Sequence, residues 1–147
     1  MKYSPEKKHI GMLLKGIDKR IVNELNKELE QFDITLMQNE VLKYIYFHEE
    51  KQDVFQKHIE RFFNSTNPTI TGILKRLESK ELIRREISHA DARYKKLTLT
   101  TKGRELSLKT FELGPKKVEH KLTQKLSVEE RDELERLLIL VLDGLEN

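Results

Sequence analysis

The sequence of 147 residues contains no cysteine, and it has only three prolines and six glycines. Without cysteine the chain can form no disulfide, no thiolate zinc site and no thiol-based redox sensor. No apolar run approaches the roughly 20 residues that cross a bilayer. The first five residues lack the apolar core of a signal peptide. We therefore expect a cytoplasmic chain that does not bind membranes.

The chain also lacks the sequence features of an enzyme. It has no glycine-rich loop that would cradle a phosphate, no serine or cysteine nucleophile setting, and no tight carboxylate pair in an apolar cleft. The histidines never recur at the i, i+3 or i+4 spacing of a helix-borne metal site. They are His9, His48, His58, His89 and His120. We expect no catalysis, no cofactor and no bound metal, with a metal-responsive regulator as an alternative.

Positive charge is in excess only in the middle of the chain. Residues 56–96 carry 10 Lys/Arg against 5 Asp/Glu, whereas residues 1–55 and residues 97–147 each carry 9 against 10. A chain of this length can form one domain with a substantial core. A basic central segment suits the neutralisation of phosphates. An ordinary solvated basic face is the alternative interpretation.

The central segment predicts two helices joined by a short turn. Asp53 is placed to cap a helix from Val54 to Phe63, and Asn64-Ser65-Thr66 supply a turn. Asn67 as N-cap and Pro68 at the first helical position predict the start of the second helix. An apolar stripe on this second helix must face a core. The stripe consists of Ile70, Ile73, Leu74 and Leu77.

A basic ribbon of two predicted strands follows the second helix. The strands span Leu82–Ile87 and Tyr94–Leu99, and residues 88–92 form the tip between them. The apolar side of the ribbon is formed by Ile87, Leu97 and Leu99. The remaining surface carries Arg84, Arg85, Arg93, Lys95 and Lys96. A helix-turn-helix followed by a basic hairpin is a winged helix, and its expected ligand is duplex DNA.

Long helices are predicted on both sides of the winged helix. The first begins near Ser4-Pro5 and keeps an apolar stripe to Leu29 over about six turns. Thr35 with Gln38 has the spacing of a capping box that opens the next helix. A helix this long cannot bury its whole stripe against a small core. Part of the stripe is therefore expected to contact a second chain.

Two further helices are predicted after the ribbon. Thr100-Thr101 cap the first of them, and Gly114-Pro115 should kink or interrupt it. Ser127 with Glu130 opens a last helix that is apolar on nearly all sides between Leu134 and Leu145. The predicted fold class is mainly α with a small β-wing, in one chain of residues 1–147. A winged helix-turn-helix over residues 36–99 is flanked by helical dimerisation regions at residues 4–32 and 101–146.

The sequence resembles the MarR family of bacterial winged-helix regulators in element order over nearly the whole chain. The residues that carry the resemblance are 67–78 and 82–85, Asp91-Ala92-Arg93 in the wing, and Leu99-Thr100-Thr101-Lys102-Gly103 after it. Residues 29–35 are also similar to the multidrug-efflux repressors of this family. The sequence departs from the family at Glu81, where glycine is usual, and at Glu60, where a small residue is favoured.

The resemblance implies a homodimer that binds an inverted-repeat operator and regulates transcription as a repressor. It also implies a small-molecule effector, lipophilic or aromatic, that binds between the dimerisation helices and the DNA reader. The residues that we expect near such an effector are His9, Met12, Leu13, Met37, Tyr44, Phe47 and Phe111. The same positions could equally be core or interface residues. A winged-helix module that binds protein instead of DNA is the other alternative, and weak salt dependence would distinguish it.

The DNA contacts are predicted from side-chain chemistry. Small residues at the start of the second helix allow close approach to the major groove, and Arg76 can bind guanine with two hydrogen bonds. The alternative for both Lys75 and Arg76 is a contact with phosphate alone. Arg93 at the tip of the wing suits a narrow minor groove, with Asp91 orienting its guanidinium. The predicted DNA-binding residues are Ser65, Thr66, Asn67, Thr69, Thr71, Gly72, Lys75, Arg76, Arg93, Lys95 and Lys96.

Overall fold

The computed structural model describes residues 9–146, except for the side chains of residues 112–115. The predicted helix start at Ser4-Pro5 lies outside the described residues. The elements are α1 (Ile10–Glu30), α2 (Leu36–His48), α3 (Gln56–Phe62), α4 (Asn67–Ser79), β1 (Ile83–Ile87), β2 (Lys95–Leu99), α5 (Thr101–Thr123) and α6 (Val128–Leu145). This order confirms the mainly α fold with a small β-wing. No helix within residues 9–146 is long and apolar enough to cross a membrane.

The chain divides into two compact units, with the boundary between residues 114 and 115. The first unit is built around one apolar core. Ile70, Leu74 and Leu77 of α4 are fully buried in it, as their helical spacing predicts. The other buried members are Leu29, Ile34, Val41, Leu42, Ile45, Val54, Ile59, Leu82, Ile83 and Leu97. Because its apolar stripe is buried, α4 keeps its opposite face at the surface.

Two of the helices begin at the capping boxes that the sequence predicts. In α2 the Gln38 amide donates to Thr35 Oγ1 at 3.2 Å, and the Thr35 amide donates to Gln38 Oε1 at 3.1 Å. In α6 the corresponding distances between Ser127 and Glu130 are 3.1 Å and 3.0 Å. These bonds satisfy backbone N–H groups that have no partner within the helix.

The start of α5 lies directly against the turn between α4 and β1. Thr100 Oγ1 accepts from the Gly103 amide at 3.0 Å, and the Thr100 amide donates to the Leu82 carbonyl at 3.1 Å. A Cβ at Gly103 would overlap that same carbonyl oxygen. Glycine is therefore required here, because one stretch of backbone touches another.

The predicted interruption of α5 at Gly114-Pro115 does not occur. The helix is continuous from Thr101 to Thr123, and the boundary between the two compact units falls between the glycine and the proline. A proline removes one backbone hydrogen bond of the helix, but the backbone hydrogen bonds of the adjacent turns can keep the helix continuous.

The predicted start of α3 at Val54 is wrong. Val54 is a buried bridge residue that pairs with Leu97, and its carbonyl accepts from the Leu97 amide at 2.8 Å. Phe55 is the N-cap, so Asp53 does not cap the helix. The β-branched Val54 gains a backbone hydrogen bond and a place in the core by pairing with the wing. The Asp53 carboxylate accepts from Ser88 Oγ at 3.0 Å instead.

The predicted N-cap of α4 is also displaced by one residue. Thr66 is the N-cap, and Asn67 is the first helical residue. The cause is visible in the backbone, because the Ile70 amide donates to the Thr66 carbonyl at 3.1 Å. The Asn67 side chain donates to Glu60 Oε2 at 3.2 Å and is not available as a cap.

The two strands pair antiparallel, with Ile83 opposite Leu99 and Ile87 opposite Lys95. Ile83 and Leu97 are buried. Ile87 belongs to the same face by alternation, but it is 67% exposed because it lies beyond the edge of the core. The apolar side of the ribbon is therefore covered by the core only at its base, and Ile87 is its exposed end.

The turn after α4 has a backbone conformation that favours glycine. Glu81 has a φ of 58°, and Asp33, in the turn between α1 and α2, has a φ of 54°. Thr100 Oγ1 donates to the Glu81 carbonyl at 2.7 Å and helps to hold the turn. The left-handed conformation costs an ordinary residue about 1 kcal/mol relative to glycine.

The second unit contains the end of α5 and the whole of α6. Within it, Arg131 Nη2 donates to Glu119 Oε1 at 3.2 Å. None of the 18 residues of α6 is buried. Its exposed large apolar residues are Val128, Leu134, Leu137, Leu138, Ile139, Leu140, Val141, Leu142 and Leu145.

Candidate nucleic-acid interface

The outward face of α4 combines small residues with long cationic ones. Thr69, Lys75 and Arg76 are exposed, whereas Thr71 and Gly72 are half-buried. A Cβ at Gly72 would meet no atom within 4 Å, so the surface beside it is open. This face can approach base edges closely, and its two cations can donate to guanine or to phosphate.

A hydrogen-bond network fixes α4 against α3. Gln56 Nε2 donates to Thr71 Oγ1 at 2.8 Å and to the Asn67 carbonyl at 3.3 Å. Thr71 Oγ1 in turn donates to Asn67 Oδ1 at 3.4 Å. Two of the predicted DNA-binding residues therefore already have partners within the helix-turn-helix. Gln56 holds them in place.

The turn before α4 presents further polar groups. Ser65 is half-buried, and its amide donates to the Glu60 carbonyl at 2.9 Å. Thr66 and Thr69 are exposed, and their hydroxyl oxygens lie 2.9 Å apart. Since either hydroxyl can be the donor of this bond, the pair can adjust to an external acceptor.

At the tip of the wing, Asp91 and Arg93 form a close ion pair. Arg93 Nη2 lies 2.7 Å from Asp91 Oδ2, and Nε lies 3.0 Å from Oδ1. These hydrogen bonds lower the pKa of Asp91 and raise the pKa of Arg93, so both groups are charged at neutral pH. The Arg93 side chain nevertheless remains 80% exposed. Its guanidinium is both oriented and accessible.

A buried serine organises the backbone of the wing tip. Ser88 Oγ donates to Asp53 Oδ2 at 3.0 Å and accepts from the amides of Ala90 at 3.2 Å and Asp91 at 3.4 Å. Lys96 Nζ lies 4.0 Å from the other oxygen of Asp53. The predicted DNA-binding residue Lys96 is thus tied to the segment before α3, while Lys95 is exposed. Serine is a common first residue of turns, which is the one signal in the sequence for this role.

Lys57 of α3 is a cationic residue of this surface that the sequence did not single out. Its ammonium lies 4.3 Å from the ring centre of Tyr94, and the Arg93 guanidinium carbon lies 5.6 Å from the same ring. The Tyr94 and Phe55 rings are 5.4 Å apart. The presence of an aromatic residue within the basic segment could have indicated this contact, because cations bind to the faces of aromatic rings.

The electrostatic environment of α3 is positive. The pKa of His58 is lowered by partial burial, and next by the positive charges of Lys57 and Arg61. The neutral ring suits its hydrogen bond, because His58 Nδ1 accepts from the Phe55 amide at 3.0 Å.

The base of the wing is fastened to α2 and α5 by one carboxylate. Glu49 Oε2 accepts from the Leu99 amide at 2.9 Å, and Glu49 Oε1 accepts from Arg104 Nη2. Only 8% of the Glu49 side chain is exposed. The Arg104 guanidinium also lies over the Tyr46 ring, 5.4 Å from its centre.

The residues predicted near an effector do not form one cluster. Phe47 and Phe111 stack with ring centres 5.3 Å apart, whereas Tyr44 stacks on His48 at 4.1 Å. Met37 packs at the edge of the core. The three candidates on or next to α1 are exposed, namely His9, Met12 and Leu13. Among residues 9–146, no group of three His, Asp or Glu side chains is placed to hold a metal ion.

The two packed helices, the small and cationic face of α4, and the basic ribbon with its exposed arginine define a winged helix-turn-helix protein. The model of the MarR family matches residues 34–95. The fold is similar to MepR from Staphylococcus aureus in complex with DNA, with 31% identity and a TM-score of 0.79 over 95% of this chain and 100% of that one. The chain belongs to the MarR family.

Other solved structures support the same assignment. MepR as a transcription regulator of the multidrug efflux pump MepA is 30% identical, with a TM-score of 0.79 over 94% of this chain and 99% of that one. A mutant of MarR from E. coli with operator DNA is 27% identical, with a TM-score of 0.75 over 90% and 93%. No curated protein matches the sequence. Family membership makes the chain a DNA-binding transcriptional regulator and not an enzyme.

Proposed function

We propose that the chain is a homodimeric repressor that binds an inverted-repeat operator and is released from it by a small molecule. The observation that carries the proposal is the exposed cationic surface of the first unit, formed by Lys75 and Arg76 of α4 and by Arg93 of the wing. The DNA complexes of MepR and MarR support it. A protein that acts on chromosomal DNA in this way would work in the cytoplasm.

The two parts of this surface would have different tasks. We assign α4 to the major groove, where Thr69 and Gly72 allow close approach and Arg76 selects a base. Arg93 would enter a minor groove, where A·T-rich DNA concentrates negative potential. Lys95 and Lys96 would bind phosphates, which adds affinity without sequence preference.

The apolar surface of α6 supports the homodimer part of the proposal. Helix α6 exposes nine large apolar residues, and none of its residues is buried. An exposed apolar surface of this extent ordinarily marks an interface. Two copies would bury it in a self-complementary contact with two-fold symmetry. Such a dimer presents two copies of α4, and a two-fold symmetric operator is an inverted repeat.

Release by a small molecule requires that the molecule binds the DNA-free form more tightly. The stacked pair of Phe47 and Phe111 is the most suitable of the predicted effector positions for an aromatic compound, since Phe47 is 58% exposed. Operator affinity measured with and without candidate aromatic compounds tests this part separately.

The first experiment is the selection of bound duplexes from a random library of about 30 base pairs at ~0.15 M salt, where specific sites compete well. We expect enrichment of an inverted repeat with half-sites about one helical turn apart. If no sequence is enriched and binding disappears at that salt, the basic surface binds DNA without specificity and the repressor proposal is wrong. Binding of a protein partner with little salt dependence would favour a protein-interaction module.

The variant Arg93→Ala tests the role of the wing on the selected operator. We expect affinity to fall by at least about tenfold with little change in melting temperature, because the side chain is exposed and its loss removes a minor-groove contact. Lys51→Ala removes one charge from an exposed position after α2 and serves as the matched control. Equal operator affinity of Arg93→Ala and wild type would remove the wing from the interface.

A further inference from the structure

The hydrogen-bond network between α3 and α4 ends at a carboxylate. Gln56 Nε2 donates to Thr71 Oγ1 at 2.8 Å, and Thr71 Oγ1 donates to Asn67 Oδ1 at 3.4 Å. Asn67 Nδ2 then donates to Glu60 Oε2 at 3.2 Å. The network thus begins and ends on α3, and it passes through Asn67 and Thr71, two of the residues predicted to bind DNA.

The carboxylate of Glu60 fixes the direction of these bonds. A carboxylate only accepts hydrogen bonds, so the amide nitrogen of Asn67 must face Glu60 and the amide oxygen must face Thr71. An oxygen in that place needs a donor, and the hydroxyl of Thr71 is the donor. Glu60 therefore determines, through Asn67, where the hydroxyl proton of Thr71 points.

The hydroxyl of Thr71 has no proton left for DNA. A threonine hydroxyl carries one proton, and that proton is bonded to Asn67, while Gln56 donates to one of the two lone pairs. The hydroxyl therefore cannot donate to the acceptor atoms that guanine, adenine and thymine present in the major groove.

The neighbouring pair of hydroxyls is not restricted in this way. Thr66 Oγ1 and Thr69 Oγ1 lie 2.9 Å apart, and the bond between them uses only one of their two protons. The second proton is available to a phosphate or a base. Thr69 and Thr71 both lie on the outward face of α4, but their chemistry toward DNA is different.

The methyl group is the part of Thr71 that remains available to a base. Thr71 is half-buried on the outward face of α4, and the open surface at Gly72 beside it lets a base edge come close. Thymine presents a methyl group in the major groove, and apolar contact with that methyl distinguishes it from the other bases.

We infer that the methyl group of Thr71 selects a thymine in each half-site of the operator. In this assignment Glu60 is a positioning residue that keeps the hydroxyl of Thr71 bonded within the protein, through Asn67. The inference rests on the proposed operator binding, and it adds the identity of one base and the residue that reads it.

The test replaces single thymines of the selected operator by uracil, which forms the same base pair without the methyl group. With the full-length protein, we expect one thymine in each half-site whose replacement weakens binding about fourfold, and about 15-fold when both are replaced. If no replacement changes the affinity, this inference is overturned and the repressor function is not. If the selection enriches no sequence, both are overturned.

Two variants of Thr71 assign the effect to its methyl group. Thr71→Val keeps a methyl without the hydroxyl, and Thr71→Ser keeps the hydroxyl without the methyl. The ratio of affinities for thymine and uracil should stay near about fourfold in the valine variant and fall to about one in the serine variant. The reverse order would show that the hydroxyl contacts the base and would overturn the inference. Thr123→Ser removes the same methyl group in the second unit and is the matched control.

Two variants of Glu60 test its positioning role. Glu60→Ala removes the group that orients Asn67, so the proton of Thr71 becomes available to O4, which thymine and uracil share, and the ratio should fall below about twofold. Glu60→Gln keeps an acceptor oxygen and should restore most of the ratio. Loss of a carboxylate raises the affinity for any DNA, so the ratio is the readout. A wild-type ratio in Glu60→Ala would show that Glu60 does not position Thr71.

Discussion

Helices α4 and α6 bury their apolar residues to opposite extents. In α4, Leu74 and Leu77 are fully buried, whereas in α6 Leu138 is 38% exposed and Leu145 is 75% exposed. Complete burial of a leucine stabilises a fold by roughly 1.5–3 kcal/mol. The stabilisation from α4 is therefore obtained within one chain, whereas the leucines of α6 would contribute a comparable stabilisation only when another surface covers them.

This difference separates two kinds of substitution. A change in the core of the first unit should alter the free energy of unfolding by the same amount at every protein concentration. A change on the apolar face of α6 should act through association, and its effect should depend on concentration.

The largest effect is expected from Leu74→Ala. The substitution leaves a cavity in a fully buried site, and we expect a loss of about 2–5 kcal/mol of unfolding free energy. Urea denaturation at two protein concentrations measures it. A loss that differs between the two concentrations would mean that the core of the first unit also depends on the partner chain.

The next effect is expected from Leu138→Glu in α6. A carboxylate placed in a dimer interface loses its hydration, so the dissociation constant of the dimer should rise at least about a hundredfold. Analytical ultracentrifugation measures it, and Glu135→Gln on the same helix is the control. If the variant sediments like the wild type, this part of α6 is not the interface.

A smaller effect is expected from Glu49→Ala at the base of the wing. It leaves the Leu99 amide without its acceptor, and we expect a loss of about 1–3 kcal/mol with faster hydrogen exchange of that amide. Arg104 is 40% exposed, so loss of the ion pair itself contributes little. Glu49→Gln keeps an acceptor and should preserve the slow exchange. Equal exchange in the alanine variant would show that Glu49 does not fasten the wing.

The smallest effect, and a stabilising one, is expected from Glu81→Gly. The residue is exposed with a φ of 58°, and relief of this conformation should add about 1 kcal/mol and raise the melting temperature by roughly 2–4 °C. Glu81→Ala removes the same side chain but keeps the strain, so it should give no such gain. Equal melting temperatures for the two variants would contradict this explanation.

The parts of the fold that depend on neighbours in sequence were predictable. Thr35 and Gln38 of the capping box are three positions apart in sequence. The buried residues of α4 likewise follow one another at intervals of three or four positions. Val54 was misassigned because its bridge partner, Leu97, is remote in sequence, and a local capping pattern competed with that pairing. Local patterns cannot reveal which distant strand will recruit a residue.

The same limit applies to the candidate site. The cations of α4 and the pairing of Asp91 with Arg93 were expected from their spacing, and the ion pair is present. The contact of Ser88 with Asp53 and the position of Lys57 over Tyr94 required the folded wing to lie beside the start of α3. Their roles at DNA remain predictions that the operator experiments test.

The absence of a side chain at Gly103 has a mechanical consequence. The first turn of α5 rests on the Leu82 carbonyl, backbone against backbone, with the Thr100 amide bonded to the same oxygen. A joint of this kind contains no rotatable side chain that could absorb displacement. A displacement of the first turn of α5 would therefore be passed directly to the turn that follows α4.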